Sequence, residues 1–548
     1  MNRINHHPEQ DYIIVGAGSA GCVLANRLSA SGRDQVFLLE AGGSDKSPWI
    51  QVPIGYGRTF ADPKFNWMYH TEPDPALANR APYWPRGKVL GGTSSINAMV
   101  YVRGQREDFD DWAAAGNPGW AWQDVLPYFK KSEDHGWGAS EFHGVGGPLR
   151  VSDFSDKVHP LCENFIQACG ALGYPRTTDF NGPQTEGAGL WQMTIRDGVR
   201  ESTANAFLKP ALKRANLTLT THALATRILF EGTRAVGIEY EQGGQVHQVK
   251  ARKEVILSGG AVNSPQLLQL SGVGDPDLLQ SLGIPVVANA PAVGMHLQDH
   301  VCVSYVFKSK VPTLNDVLYP LTGKIKAAVQ YVVARKGPLA MSVNQAGAFL
   351  RSRPELERPN MHVYFNPISY NANANTGAST KLTNPDPFSA FLMSFNTCRP
   401  TSRGHITITS ARPQDKPAIH TNFLSTPEDL ADVLQGSRLL RRIAAAGPLA
   451  EVIESELTPG PQAQSADAVV EDFRQRAGSV YHACGTCAMG PDPKQSVVNH
   501  RLRVHGLTGL RVIDASIFPA VTSGNTNAPA IMVAEKGAAM ILEDHATA

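Results

Sequence analysis

The chain has 548 residues, in which 50 lysines and arginines nearly balance 49 aspartates and glutamates, so its net charge is +1. This balance excludes the strongly basic surface typical of nucleic-acid-binding proteins, and the length is sufficient for a large core in two joined domains. No run approaches the roughly 20 consecutive apolar residues of a membrane-spanning helix.

The cysteine count and the first residues indicate a compartment. Seven cysteines, an odd number in a large chain, suit reduced thiols better than a disulfide framework. Residues 1–10 lack the apolar segment of a secretory signal. We therefore expect a cytoplasmic protein without a signal peptide or a transmembrane helix. Peripheral attachment to the inner membrane stays open.

A glycine-rich turn follows the first apolar run. Residues 11–15 predict a strand, residues 22–28 predict a helix, and Gly16, Gly18 and Gly21 lie between them. The first glycine allows a tight turn, the second lets the backbone approach a pyrophosphate, and the third lets the helix pack closely. The helix start offers free N–H groups and a positive dipole end to the phosphates. The pattern predicts a dinucleotide-binding turn.

A second predicted strand supports the same ligand. Residues 35–39 end at Glu40, about 20 residues beyond the turn, where a carboxylate can accept a hydrogen bond from a ribose hydroxyl. An acidic residue there disfavours a 2′-phosphate, so FAD or NAD fits better than NADP. The alternative is a glycine-rich turn that serves only packing.

The nucleotide-binding segments are discontinuous along the chain. Residues 85–97 are rich in glycine and hydroxyl side chains, which is typical of a loop whose backbone donors hold phosphate or flavin. Further strands are predicted at residues 217–221, 235–240 and 254–257. For the helix that follows, we predict Ser264 as the N-cap and Pro265 as the first helical residue.

Residues from about 308 to 474 have a different pattern. They contain a predicted helix over 325–334 and alternating runs at 361–365 and 404–409. We interpret this stretch as a substrate domain with its own sheet.

The C-terminal part predicts a strand over 509–514, a polar loop over 523–527 and an apolar helix over 528–542 with Pro529 in its first turn. The positive end of this helix suits negative charge on a reduced flavin. Enzymes that pass electrons from NAD(P)H to FAD often have two dinucleotide turns, and this chain has one G-x-G-x-x-G. One dinucleotide must then supply the redox chemistry, which favours a flavin. The alternative is a helix that serves only packing.

Two polar residues fit the oxidation of an alcohol. The reaction needs a group that accepts the hydroxyl proton while the carbon-bound hydrogen leaves as hydride. Histidine is best matched to accept a proton near neutral pH, and His482 lies shortly before the C-terminal strand. Asn525 can donate a hydrogen bond to the same oxygen without competing for the proton. On residue chemistry alone, a single histidine is more often structural.

The chain resembles the glucose–methanol–choline (GMC) flavoprotein oxidoreductases. The resemblance rests on residues 16–21 with Glu40, and on residues 86–97, 260–274 and 482–529, with weaker matches at residues 142–148, 293–300 and 399–404. It covers nearly the whole chain. Within the family, the chain is most similar to bacterial FAD-dependent alcohol and choline dehydrogenases.

The resemblance implies an α/β fold, α+β overall, with a Rossmann-like FAD-binding domain and a substrate domain of mixed sheet and helices. The discontinuous FAD-binding domain is expected to comprise residues 8–45, 80–110, 195–305 and 475–548. Residues 46–79, 111–194 and 306–474 are expected to form the substrate-binding domain and cap segments.

The resemblance also implies the site residues. His482 and Asn525 match the family's catalytic pair in its His–Asn form. The expected FAD contacts are Gly16, Gly18, Ser19, Ala20, Gly21, Glu40, Ala41, Arg86, Val89, Gly91, Gly92, Thr93, Asn97, Ala98, Met99, Val100, Ala225, Asp514, Ala515, Asn525, Thr526 and Asn527. Some members attach FAD covalently to a histidine at the position of Ile96, so FAD is expected to be non-covalent here.

The implied reaction takes a primary alcohol to its aldehyde, with hydride transfer to flavin N5 and proton transfer to His482. The electrons pass to a quinone-like or other acceptor, such as an artificial dye. An oxidase that reduces O2 to H2O2 and an FAD-containing cyanohydrin lyase stay open as alternatives. The uncharged run 388–395 slightly favours an apolar pocket for aliphatic or aromatic alcohols over a choline site.

Other patterns carry less weight. Residues 482–487 contain two cysteines, but no cluster at zinc-like spacing completes four ligands, so we expect neither a metal nor a redox dithiol. His296 and His300, near Asp299, are expected to be structural or to support the site. A substrate pocket and ordinary core packing are both open for Phe365, Tyr370, Phe388, Phe391 and Phe395.

Overall fold

A computed structural model describes residues 5–370 and 384–546. Within these residues, two large sheets each carry their own apolar core. Helices and strands alternate along much of the chain, so the predicted α/β class is confirmed.

The first sheet has eight strands among the described residues. Six of them follow the order Leu217–Thr220, Val36–Leu39, Gln10–Val15, Gln245–Leu257, Arg234–Gln242 and Ala223–Glu231, and the strands Asn5–His6 and Leu510–Val512 also pair with Gln245–Leu257. The long strand Gln245–Leu257 is parallel to Gln10–Val15 and Leu510–Val512 but antiparallel to Arg234–Gln242. It thereby joins a parallel nucleotide-binding layer to an antiparallel extension.

The second sheet has seven strands, all antiparallel to their described neighbours. Its order is Ile453–Thr458, Val301–Ser309, Ala390–Thr397, Met361–Asn366, Ala346–Leu350 and Gly187–Leu190, with Gly478–Ser479 paired to Val301–Ser309. Side chains alternate along its strands, so one face packs on helices and the other faces a cavity.

Short strand pairs and helices complete the described fold. The pairs are Tyr69–His70 with Tyr83–Trp84, Glu133–His135 with Leu149–Val151, Ile195–Arg196 with Val199–Arg200, Val273–Gly274 with Ala288–Asn289, and His405–Thr407 with Ala418–His420. The α-helices are Ser19–Leu28, Pro48–Gln51, Tyr56–Thr59, Arg106–Ala114, Trp122–Ser132, Leu161–Ala171, Lys209–Ala211, Gly260–Leu270, Pro276–Ser281, Leu314–Leu318, Leu321–Ala334, Pro427–Ala444, Gly447–Val452, Ala466–Arg476 and Asn527–Ala546.

The glycine-rich turn has the predicted form. The strand Gln10–Val15 is buried along its whole length, as expected for a parallel strand covered on both faces. Gly16 has φ of +100°, and a Cβ there would lie 2.5 Å from the carbonyl oxygen of Ser258. A Cβ on Gly21 would lie 1.8 Å from the Gly16 carbonyl oxygen. Both positions therefore require glycine, because a side chain would collide with neighbouring backbone.

The two ends of the chain meet across a pair of helices. The helix Ser19–Leu28 packs on Asn527–Ala546, and Arg27 pairs with the buried carboxylate of Glu535 at 2.6 Å. Near the start of both helices, Ser19 Oγ donates to Asn527 Oδ1 at 2.7 Å. This packing places the C-terminal loop beside the dinucleotide turn, although the two are far apart in sequence.

The start of the helix Gly260–Leu270 differs from our prediction. The helix begins four residues before Ser264, and Pro265 lies inside it. Proline cannot donate to the carbonyl of Ala261 one turn earlier, but the hydroxyl of Thr486 donates to that oxygen at 2.7 Å. A side chain distant in sequence thus compensates for the proline, which no local pattern could predict.

Other predicted elements are confirmed with shifted ends. The helix predicted over 325–334 is Leu321–Ala334, and the run 404–409 is strand only over His405–Thr407. The predicted domain boundary at 305 falls inside the strand Val301–Ser309 of the second sheet. The division into domains stays a prediction. Among the described residues, we find no helix with the length and hydropathy needed to cross a bilayer.

Candidate active site

A cavity of about 480 Å³ is lined by residues of both sheets and of the C-terminal loop. The predicted residues on its wall are Gly16, Gly18, Ser19, Ala20, Glu40, Ala41, Arg86, Gly92, Thr93, Asn97, Ala98, Met99, Val100, Ala225, His482, Asp514, Ala515, Asn525, Thr526 and Asn527. The fold therefore gathers around one space residues that are separated by hundreds of positions in the sequence.

Three predicted contacts are not on the cavity wall. Gly21 packs against the turn, and Val89 is fully buried in a small apolar cluster with Ile96. The backbone N–H of Gly91 donates to the carbonyl of Ala17 at 2.8 Å and so ties the loop 86–97 to the dinucleotide turn. These residues pack against the residues of the cavity wall but do not line the cavity themselves.

Glu40, predicted as a ribose partner, lies on the cavity wall. Its two carboxylate oxygens accept backbone N–H groups of Ala17 and Gly42 at 2.9 and 2.8 Å. Burial raises the pKa of Glu40 to about 7, against the effect of these two hydrogen bonds. Ala225 lies on the same cavity wall, as predicted for an adenine contact.

The residues present fit a dinucleotide in two observable ways. A Cβ on Gly92 would lie 2.7 Å from Gly18 Cα, so a side chain there would fill the narrow approach between the two loops. The Nε and Nη2 atoms of Arg86 are buried and have no hydrogen-bond partner, although Arg86 lines the cavity. Such unpaired donors fit an anionic or carbonyl-rich ligand.

Asn97 is held by a residue that sequence reasoning missed. Its Oδ1 accepts the N–H of Met99 at 3.0 Å and a guanidinium N–H of Arg200 at 2.9 Å. Arg200 is fully buried, and burial lowers its pKa to about 9. Arg200 lies about a hundred residues further along the chain and belongs to no recognisable motif, so only the fold reveals it.

Asp514 organises the C-terminal side of the cavity. Its carboxylate accepts the N–H of Gly260, the hydroxyl of Ser264 and the N–H of Ser516 at 2.8, 2.6 and 2.7 Å. Burial raises its pKa above the ordinary value. Ser264, predicted as a helix cap, instead links the helix Gly260–Leu270 to this carboxylate.

His482 lies between another histidine and Asn525. Its Nδ1 is 2.9 Å from Nδ1 of His300, and its Nε2 is 3.0 Å from Nδ2 of Asn525. His300 Nε2 is 3.0 Å from the carbonyl oxygen of Cys398, which can only accept. His300 therefore carries its hydrogen on Nε2, so its Nδ1 accepts when the ring is neutral. His482 must then carry its own hydrogen on Nδ1, which leaves a lone pair on Nε2.

Both rings are held in the neutral form. Burial, followed by the neighbouring His300, His362 and Arg86, holds the pKa of His482 well below 6.5. Burial likewise lowers the pKa of His300 to about 4. A neutral His482 with no hydrogen on Nε2 is the form that can accept a proton.

The backbone of His482 is fixed separately. Its N–H donates to Asp299 Oδ1 at 2.7 Å, and the other oxygen of Asp299 accepts from Trp84 Nε1 at 2.7 Å and from the Ser479 hydroxyl. Burial raises the pKa of Asp299 to about 6. The contacts of His300 with His482 and with the Cys398 carbonyl agree with the expectation that His300 is structural or supports the site.

The aromatic residues of the second sheet divide by face. Phe365, Phe391 and Phe395 are in the apolar core, whereas Tyr370 lines the cavity. Along the strand Ala390–Thr397 the cavity side carries Leu392 and Ser394, and the phenylalanines alternate to the other side. Phe388 packs at the edge of the sheet. The wall contributed by this strand is therefore aliphatic and hydroxylic.

Two thiols and one cluster of a glutamate with two histidines are held by their surroundings in the protein. Cys484 and Cys487 are buried and unpaired, and burial raises the pKa of both thiols. Away from the cavity, Glu133, His135 and His143 are close enough to share a metal. However, Glu133 already pairs with the buried Arg103 at 2.9 Å, and His143 bridges Glu133 and Asp179. The cluster is charge-balanced by protein groups.

Comparison with known proteins gives a consistent result. Residues 10–302 and 400–534 match the N- and C-terminal models of the family described as GMC oxidoreductase. The mitochondrial choline dehydrogenase of Mus musculus is 44% identical over 97% of this chain and 89% of that protein. An alcohol dehydrogenase [acceptor] of Pseudomonas putida is 43% identical over 97% of this chain and 95% of that protein.

Solved structures share the same architecture. Pyridoxine 4-oxidase from Mesorbium loti superposes with a TM-score of 0.88 at 31% identity, covering 98% of this chain and all of that chain. A formate oxidase superposes with a TM-score of 0.90 at 26% identity and full coverage of both chains. The similarity extends over both sheets rather than over the nucleotide-binding part alone.

Proposed function

Because the chain belongs to the GMC oxidoreductase family, we propose that His482 and Asn525 form the catalytic pair of its FAD-dependent alcohol oxidation. The enzyme is an FAD-dependent alcohol dehydrogenase, as in the relatives with which it shares its whole length. The observation that carries the assignment of the pair is the contact of 3.0 Å between His482 Nε2 and Asn525 Nδ2 on the cavity wall.

FAD, when bound, accepts the hydride from the alcohol carbon and later gives up the electron pair. The residues that would hold it are the dinucleotide turn, Glu40, the loop 92–100 and the loop 525–527. Non-covalent binding is supported by Ile96, which lines the cavity at the position used elsewhere for attachment and has no nucleophilic atom.

His482 acts as the proton acceptor. A substrate hydroxyl that donates to the Nε2 lone pair replaces the contact with Asn525. The amide of Asn525 is then free to donate to the hydroxyl oxygen and to hold it beside the base. As the hydroxyl proton moves to Nε2, negative charge grows on the oxygen, and this amide together with the nearby Arg86 stabilises it.

His300 is a positioning residue in this scheme. Its Nδ1 holds the hydrogen of His482 on the nitrogen remote from the alcohol. Once His482 accepts a proton on Nε2, its Nδ1–H still donates to His300, so the ring does not need to rotate. The carbonyl of Cys398 fixes the orientation of the whole pair.

The substrate is proposed to be a neutral aliphatic or aromatic primary alcohol. The carboxylates on the cavity wall are Glu40 and Asp514, and each already accepts backbone N–H groups. The unpaired guanidinium of Arg86 adds positive charge on the same wall. A quaternary ammonium such as that of choline would depend on aromatic faces alone, among them Tyr364 and Tyr370.

The acceptor is proposed to be of the quinone class, with a cytoplasmic location for the protein. The experiment that tests the function is anaerobic: holoenzyme is mixed with a panel of primary alcohols and choline while flavin absorbance is followed. Bleaching by neutral alcohols at lower concentrations than by choline is expected. Bleaching by choline alone contradicts the substrate assignment, and a flavin that no alcohol bleaches contradicts alcohol oxidation and points to a lyase.

A further inference from the structure

The helix Leu321–Ala334 exposes a continuous apolar stripe. The exposed fractions of Leu321, Ile325, Val329, Val332 and Val333 are 71, 55, 57, 75 and 80%. Their spacing places them on one side of the helix, whereas Ala327 and Tyr331 are buried on the other side. No described residue covers the stripe. Single exposed apolar residues are ordinary, but five on one helix face mark an interaction surface.

The charged residues of this helix and of the segment that follows it have one sign. Lys324 and Lys326 lie at the two edges of the apolar stripe, and Arg335 and Lys336 follow the helix, all of them exposed. None of the four forms an ion pair within the described residues. The sequence has no aspartate or glutamate from 317 to 354. The helix and the segment that follows it are therefore cationic and apolar in a protein whose net charge is +1.

This combination distinguishes between two partners. A second copy of the chain, related by a twofold axis, would bring eight cations from the two helix segments into one interface, and their mutual repulsion disfavours this partner. A bilayer that contains anionic lipids offers acyl chains to the stripe and negative headgroups to the lysines at its edges. We propose that the helix Leu321–Ala334 docks this enzyme on an anionic membrane surface, lying in the interface without crossing it.

The position of the helix relates membrane docking to the access of an electron acceptor. Its inner residue Ala327 belongs to the same apolar cluster as Tyr56, Met99 and Val343, which line the cavity. Docking therefore brings the bilayer, where a lipid-soluble quinone is dissolved, to the outer side of the helix that packs on this part of the cavity wall. This relation to the acceptor rests on the proposed function, whereas membrane binding itself does not.

The test is flotation of the holoenzyme with two kinds of vesicle, one of phosphatidylcholine and one of phosphatidylcholine mixed with phosphatidylglycerol. Binding to the anionic vesicles that weakens with added salt is expected. The triple variant Ile325→Gln/Val329→Gln/Val332→Gln should lose about tenfold or more in partition coefficient, because three exposed apolar contacts are removed. The variant Lys324→Gln/Lys326→Gln should lose about tenfold on anionic vesicles only.

A matched control changes exposed valines elsewhere. Val145 and Val286 are 52 and 39% exposed, and the variant Val145→Gln/Val286→Gln should bind vesicles like the parent protein. The triple variant should keep its melting temperature and its alcohol oxidation with a soluble dye, because the changed side chains face away from the cavity. Failure of the parent protein to oxidise alcohols would contradict the proposed function. The vesicle experiment would still test membrane binding, because flotation does not depend on activity.

Three results overturn the docking proposal. The first is that the parent protein floats with neither kind of vesicle. The second is that the triple variant floats as well as the parent. The third is that sedimentation shows a dimer of the parent protein and a monomer of the triple variant. The last result assigns the stripe to an interface between copies of the chain.

Discussion

The proton acceptor that we assign is a neutral histidine whose own hydrogen is held on the nitrogen remote from the cavity. A chain of two contacts determines this form, from the Cys398 carbonyl to His300 and from His300 to His482. The identity of each partner matters, because a donor in place of either acceptor would reverse the tautomer. This geometry leads to three predictions at the level of single residues.

The first prediction concerns replacement of the proposed base, His482. His482→Gln should lower kcat/KM by about 10²–10⁴-fold, because general base catalysis is lost while a polar side chain of similar size remains. FAD content, measured by absorbance of the purified variant, should stay near that of the parent enzyme. Activity within a fewfold of the parent would show that His482 is not the proton acceptor.

The second concerns His300. His300→Leu should lower kcat about tenfold with little change in KM, because one hydrogen bond that selects the tautomer is removed. His300→Asn can present a side-chain oxygen near the former Nδ1 and should recover most of the rate. Equal losses in the two variants, accompanied by equal loss of stability, would indicate a packing role alone.

The pH profile tests the same neutral pair. His482 must be neutral to act, and burial with the neighbouring His300, His362 and Arg86 keeps its pKa well below 6.5. The value of kcat/KM should therefore stay level as pH falls to 6.5 and decline only below it. A decline that begins above pH 6.5 in the parent enzyme and is absent in His482→Gln would contradict this assignment.

At the scale of elements, the helix Gly260–Leu270 shows how distant side chains complete local structure. Pro265 leaves the Ala261 carbonyl without a backbone donor, and the Thr486 hydroxyl replaces that donor. The helix start carries Gly260, whose N–H holds Asp514 at the cavity. The element that shapes the site is therefore stabilised from the loop that carries His482.

Removing the Thr486 hydroxyl should destabilise the folded protein. Thr486→Val keeps the shape of the side chain but leaves the buried carbonyl unpaired, which should destabilise the protein by about 1–3 kcal/mol. Chemical denaturation measures the change. Thr218→Val, on an exposed strand position, is the control and should change stability little. Equal stability of the two variants would show that the Thr486 bond contributes nothing.

For the molecule as a whole, the sequence was sufficient to predict the nucleotide-binding layer. It was not sufficient to predict many of the residues that surround His482 and Asn525. The turn at Gly16 and the partner Glu40 follow local rules of strand, turn and helix. Arg200 and His300 reach the site only because strands of separate segments pair, and their roles depend on contacts across about a hundred residues or more. The face on which Phe391 lies likewise depends on register, since alternation alone does not say which side is core.

Acid should destabilise the folded protein through its buried histidines. The pKa of His300 is about 4 in the folded protein, against an ordinary value of 6.5. Between these values the unfolded chain binds more protons, so stability falls as pH decreases from 6.5 towards 4. Between pH 7 and 5, His300 should lower the free energy of unfolding by about 2 kcal/mol. Denaturation at both pH values should show a smaller drop in His300→Leu than in the parent, and an equal drop would contradict the assignment.

The central claim is that an alcohol reduces the bound flavin while His482 accepts the hydroxyl proton. Anaerobic rapid mixing of holoenzyme with an alcohol, with the parent enzyme and His482→Gln compared across pH, measures this step directly. The account predicts fast bleaching in the parent that slows below pH 6.5, and bleaching in the variant slower by about 10²–10⁴-fold that rises with pH as the alcohol itself ionises. Equal bleaching rates in the two proteins would contradict the account.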